Sequence, residues 1–248
     1  MYRFFRILQR DTINLFINPT WIFMVLAFPL LLTAVLGVLT EGMYGTRITS
    51  YDYYGVTMMI YCALYAATFS ANSFMEERIK APNLRIIYSP VGKLSIPLSK
   101  IIATFIFTAV FYSIAGLFMK FVFNVNFGTN NLLLVWLLFL AVDFLFSCIG
   151  VFMCCLFKSE GVANQILSIV TTLFAILSGF FFPIANLGTT MVTISKLSPV
   201  TTVVDTIFSI IYDQNSQGVL PALVIMIVLS AITILLCQIF FKGEDYLC

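Results

Sequence analysis

Six stretches of eighteen or more nearly uncharged residues dominate the chain. Each is long enough to cross a hydrocarbon core of about 30 Å as a helix. Backbone amides in lipid must be satisfied within the segment, so spans of this kind are helices. A length of 248 residues would otherwise suggest one or two globular domains, but 61% of the residues are hydrophobic and only 10% are charged. A soluble fold of this size could not cover that much apolar surface. The sequence predicts an all-α polytopic membrane protein, 1–248 a single transmembrane domain with six helices and almost no room for a soluble unit.

The spans are expected at about Trp21–Thr40, Tyr53–Phe74, Leu98–Val122, Leu132–Leu156, Val162–Phe182 and Val219–Phe241. The first ends without a small-x-small cleavage pattern and reads as a retained helix. Pro29 inside it should bend it or unwind it locally. Ala63, Ala66, Ala67, Ser70 and Ala71 give the second span a small-residue surface that favours close helix contact, and Ser113 with Gly116 gives the third another.

Ahead of the first span, residues 1–18 form an amphipathic helix. Phe4, Phe5, Leu8, Thr12, Leu15 and Phe16 share one face; Arg3, Arg6, Arg10 and Asn14 cluster on the other. Such a helix can lie in the headgroup plane with its arginines toward anionic lipid or a partner, or serve simply as a basic start held inside. With the N-terminus inside, ten of the thirteen Lys and Arg residues fall on the inner side and three, Arg47, Lys120 and Lys196, on the outer. The membrane expected is the cell (plasma) membrane, and that bias predicts cytoplasmic N- and C-termini. It also accounts for the basic residues without a nucleic-acid surface.

One long segment is dense in charge: Glu76 to Lys100, reading EERIKAPNLRIIYSPVGKLSIPLSK. Within 76–97, Glu76, Glu77 and Arg78 begin a solvated loop. Asn83 to Tyr88, with Arg85, could form a short helix ended by Ser89-Pro90. A short helix across the membrane mouth could sit in the groove of a cytosolic ATPase; a loop that only satisfies topology is the plainer alternative. Gly92-Lys93 lacks the spaced glycines and the following Ser or Thr of a phosphate loop, so the chain shows no ATP site of its own.

Asp143 lies near the centre of the fourth span. A carboxylate at that depth costs several kcal/mol unless paired, protonated or facing water. It could line a translocation path, or be neutral and hydrogen-bonded to Ser147 or a neighbouring helix. Ser178, Gly179, Phe182 and Pro183 punctuate the end of the fifth span. Residues 183–218 beyond them, broken by Pro and Gly, are expected to make re-entrant or interfacial outer helices and a gate. With no His among 248 residues and six Cys in or beside apolar runs or at the last position, no catalytic constellation, cofactor site or metal site is expected.

The order of these features resembles the permease subunits of ABC-2 type exporters. The residues that carry it are Arg10-Asp11 ahead of six spans, Glu76-Glu77…Leu84…Ser89-Pro90…Leu98…Lys100, and Ser178-Gly179…Pro183 followed by Leu197-Ser198-Pro199. The resemblance implies the ABC-2 type (type V) exporter fold. In it, Arg3 to Phe16 (hence Arg3, Arg6, Arg10 and Asp11) lies in the connecting helix, and Glu77 to Pro90 holds the coupling helix; Glu76, Glu77, Arg78, Arg85, Tyr88 and Pro90 are the coupling candidates. It implies a second permease copy or a paralogous partner and two cytosolic ABC ATPase subunits, which would carry ATP and Mg2+. The substrate would lie at the permease interface against the first, second and fifth spans. The cargo expected is an amphipathic drug or antimicrobial peptide, with lipid or lipid-linked polysaccharide as the alternative. Outside that class stand a non-transporting membrane sensor or assembly protein and a secondary transporter driven by Asp143 protonation.

Overall fold

The computed structural model describes residues 2–45, 48–76, 94–128, 131–184 and 188–241. Glu77, Arg78, Arg85, Tyr88 and Pro90 lie outside the described residues. Nine helices are described: α1 Tyr2–Ile17, α2 Pro19–Leu39, α3 Ser50–Met75, α4 Ser95–Val122, α5 Leu132–Phe157, α6 Glu160–Leu177, α7 Thr189–Ser195, α8 Pro199–Tyr212 and α9 Val219–Phe240. Six of them, α2 to α6 and α9, are long and apolar enough to span a membrane.

Local chemistry explains the helix starts. Asn18 caps α2 by accepting from the Thr20 amide at 3.1 Å, with Pro19 at the first helical position. Thr49 and Asp52 form a reciprocal capping box at α3. The other oxygen of Asp52 accepts from the Asn126 amide at 2.7 Å, which pins the loop between α4 and α5 onto the start of α3.

Of the two outcomes expected at Pro29, a bend or a local unwinding, unwinding does not occur: α2 is helical through it. The largest boundary difference is at the fifth span. The fifth span stops at Leu177 rather than Phe182. Gly179, at φ +70°, sends its amide to the Ile176 carbonyl, and the Phe180 amide returns to Ala175 at 3.0 Å. This Schellman closure requires the left-handed glycine and ends the helix before the Phe-rich stretch.

α3 is the hub. It packs on α2, α4, α5 and α6, and 89% of its spanning window is buried against 22% for α2 and α6. Its contact with α5 rests on small residues: a Cβ on Gly150 would lie 2.0 Å from the Ala67 carbonyl oxygen. Ala63, Ala66, Ala67, Ser70 and Ala71 are all buried. The amphipathic α1 packs on α4 and, less extensively, on α2. α9 packs on α5 and α8, and α7 and α8 meet at 100°.

Candidate functional site

Four groups of residues stand out. The first joins α1 to the start of α4. Leu8, Asp11 and Leu15 follow one another at helical spacing, so Asp11 falls on the inward face of α1 rather than with the arginines. Its carboxylate receives Lys100 Nζ at 2.5 Å and the Ser99 hydroxyl at 3.0 Å. Both charged side chains are buried, at 8% and 3% exposure. Sequence reading placed Asp11 in the connecting helix and counted Lys100 as an inner charge, but did not pair them. Arg3, Arg6 and Arg10 are exposed; Arg6 donates to the Tyr2 hydroxyl at 2.9 Å and lies over its ring. Glu76, half-buried, is the residue at which α3 ends, its amide reaching the Asn72 carbonyl at 2.9 Å. The ion pair therefore sits at the far end of the charged segment that begins at Glu76.

The second group closes the opposite end of the helices. The Tyr53 hydroxyl donates to the Gly179 carbonyl, and the Tyr54 hydroxyl to the Phe181 carbonyl at 2.9 Å. Tyr44 reaches Tyr54 at 3.4 Å, and Tyr53 stacks on Phe208 of α8. Ser178 is buried, its hydroxyl 3.1 Å from that of Thr201 in α8. Phe182 is exposed and Pro183 half-buried. The tyrosines thus clasp the turn after α6 to both α3 and α8. Burial, reinforced by the bond with Tyr54, holds the Tyr44 phenol well above its usual range, so it stays protonated at any physiological pH. Tyr53→Phe with Tyr54→Phe removes two bonds worth about 1 kcal/mol each. Amide exchange at Gly179 to Ile184 should then rise by about tenfold or more, measured by mass spectrometry.

The third is Asp143, buried at 2% exposure. One oxygen accepts from the Thr108 hydroxyl of α4 at 2.8 Å; the other has no partner, and neither has the Ser147 hydroxyl. Of the two hydrogen-bonding options the sequence left open, the neighbouring helix supplies the bond.

The fourth was not singled out from the sequence. Gly161, Gln165, Ser168 and Thr172 recur at helical spacing on α6, and all are exposed. Ser168 and Thr172 return their hydroxyls to the carbonyls one turn back, at 2.8 and 2.7 Å. No other span is as amphipathic as α6. The spacing of three and four between polar residues was the available signal; the high apolar content around it hid it. Asn164, on the adjoining face, donates to Asn72 of α3 at 2.5 Å.

No group of three potential metal ligands occurs among the described residues, and the five described cysteines are buried and free. Six apolar spans with an amphipathic leading helix and a bent helix pair define a multi-pass membrane protein that is helical throughout the described residues. The chain belongs to the ABC-2 family of transporter proteins, whose family model matches residues 43–237. Comparison with curated proteins finds no match. Members of this family are the membrane-spanning components of ABC transporters; they are not themselves catalytic and normally work with ABC ATPases.

Proposed function

We propose that this permease works as an exporter subunit for an amphipathic drug or antimicrobial peptide, driven by two separate cytosolic ATPases that carry ATP and Mg2+. A second copy or a paralogue completes the path, in a cell membrane with both termini cytoplasmic. The observation that carries the reading is the Gln165–Ser168–Thr172 stripe on α6. Ser168 and Thr172 satisfy their hydroxyls on their own helix, but the Gln165 amide facing lipid is costly, so the face is better placed against water or another polypeptide. Facing its counterpart, it would line a path with hydrogen-bonding side chains between otherwise apolar walls, which suits an amphipathic cargo. The buried Asp11–Lys100 pair supports the coupling half of the reading, because it fastens the amphipathic α1 to the helix that follows the charged segment. Glu76, Glu77, Arg78, Arg85, Tyr88 and Pro90 are proposed to contact the ATPase, and Ser178, Gly179, Phe182 and Pro183 to form the outer gate.

Ser168→Cys provides the test. The five described native cysteines are buried; with Cys248, outside the described residues, replaced by Ser, a charged thiol reagent added to membranes should modify the new cysteine well above a control lacking Ser168→Cys. Bound cargo should slow that modification by about tenfold, the equivalent of 1.4 kcal/mol of protection. A cysteine inert to charged reagents but reactive to lipid-soluble ones would place α6 against lipid and reject the path. Gln165→Leu with Thr172→Leu should reduce cargo export while the ATPases still co-purify.

A further inference from the structure

A cavity of about 560 Å³ lies between α3, α4 and α5. No residue of α6 lines it, so it is separate from the proposed path. Its walls include Met59, Tyr112, Gly116, Phe139 and Trp136, and Asp143 contributes to them at the level of Thr108. Lys120 also lines it, twelve residues along α4 from Thr108, which is roughly 18 Å of helix. The two charged side chains therefore mark opposite ends. Leu117, Leu133 and Trp136 on the lining are exposed on the outer face of α4 and α5, where lipid would lie.

Most polar groups of the wall are already engaged; the Lys120 ammonium at one end and one oxygen of Asp143 at the other are not. The Tyr112 hydroxyl donates to the Cys62 carbonyl at 2.5 Å. Ser113 donates to the Ala109 carbonyl at 2.5 Å and accepts from Trp136 Nε1 at 3.0 Å. What is left at the end away from Lys120 is the Asp143 carboxylate, which lines the cavity and whose second oxygen is buried without a partner. An acceptor with no donor, at the deep end of an apolar and aromatic chamber, selects its occupant. It asks for an apolar body carrying a hydrogen-bond donor, and a donor that is also cationic answers the cost of a carboxylate at this depth. An anionic amphiphile would meet the carboxylate unfavourably at the same point.

The geometry points to a binding site for a lipophilic amine entering from the bilayer, with its ammonium on the Asp143 carboxylate and its apolar chain along Tyr112, Gly116 and Trp136. The aromatic walls add cation–π attraction to the fit.

Trp136 makes the test direct, because the chain has only two tryptophans. With Trp21→Phe as background and the full chain in lipid nanodiscs, 8-bromooctylamine should quench Trp136 fluorescence saturably. 8-Bromooctanoic acid and 1-bromooctane should quench only in linear proportion to their partitioning. Asp143→Asn should raise the amine midpoint at least tenfold. Linear quenching by the amine, an unchanged midpoint in Asp143→Asn, or saturation by the acid at the same midpoint would overturn the site. Should Asp143→Asn not insert, Gly116→Leu decides. The Cβ direction of Gly116 meets only the Met59 methyl, at 3.5 Å, so a larger side chain there fills the cavity. Loss of saturation in that variant supports the site, and its retention rejects it.

Discussion

Asp11→Ala should destabilise the folded chain by about 3–5 kcal/mol, the range for removing one partner of a buried ion pair. The substitution leaves the Lys100 ammonium at 3% exposure without its counter-charge and takes from Ser99 one of the two acceptors of its hydroxyl. Lys100→Met should cost a similar amount, since it leaves the carboxylate. Asp11→Leu with Lys100→Met removes both charges together and should recover most of the loss, because the net worth of a buried pair over an apolar one is small. Unfolding of the two single variants and the double variant in mixed detergent micelles measures the coupling as a double-mutant cycle. Single variants within about 1 kcal/mol of the parent would show that Lys100 escapes to the interface along its flexible stem. The recovered double variant is the informative one for function. If the charge pair is what fastens α1 to α4 during the ATPase stroke, that protein folds, binds the ATPases and exports less.

The second large effect belongs to Gly150. An added methyl group there would stand 2.0 Å from the Ala67 carbonyl oxygen and 2.7 Å from its carbon, and backbone cannot swing aside as a side chain can. α3 and α5 would have to separate along the interface on which the hub is built. Gly150→Ala should therefore cost about 1–3 kcal/mol or more, and Gly150→Leu should prevent accumulation of folded protein. Gly116→Ala, which meets only the Met59 methyl at 3.5 Å, is the matched control. It should be neutral or stabilising by about 0.5–1 kcal/mol, since alanine favours a helix over glycine. Thermal midpoints of the two alanine variants in one detergent separate the cases. Equal midpoints would mean that the close approach of α3 and α5 relaxes without loss.

Much of this architecture was legible before any coordinates. Run length alone located the six spans, because the span condition is local: a helix either covers the hydrocarbon thickness or does not. The amphipathic start was equally local, and the small residues of α3 announced close packing without naming α5 as the partner. The end of the fifth span was misplaced because Gly179 and the Phe-rich stretch both look apolar and membrane-compatible. What stops the helix is a backbone closure that only the left-handed φ reveals.

By itself, then, the sequence determined the membrane class, the number and order of the spans, the family and the absence of a recognisable phosphate loop. These follow from composition, length and motif order along the chain. Tertiary structure decided which helix is central, and it chose against simple hydropathy. α3 has a mean hydropathy of 1.2, the lowest of the six, and is the most buried, while α9 at 2.9 has only 28% of its window covered. In a bilayer the outside is as apolar as any core, so burial follows small residues and hydrogen bonds rather than greasiness. Tertiary structure also joined Asp11 to Lys100 across 89 positions and set Asp143 beside Thr108 in a chamber with one oxygen unfilled. A local pattern can turn a residue such as Asp11 inward, but which residue of another helix it then meets depends on how the helices pack, and neither helix's own pattern encodes that.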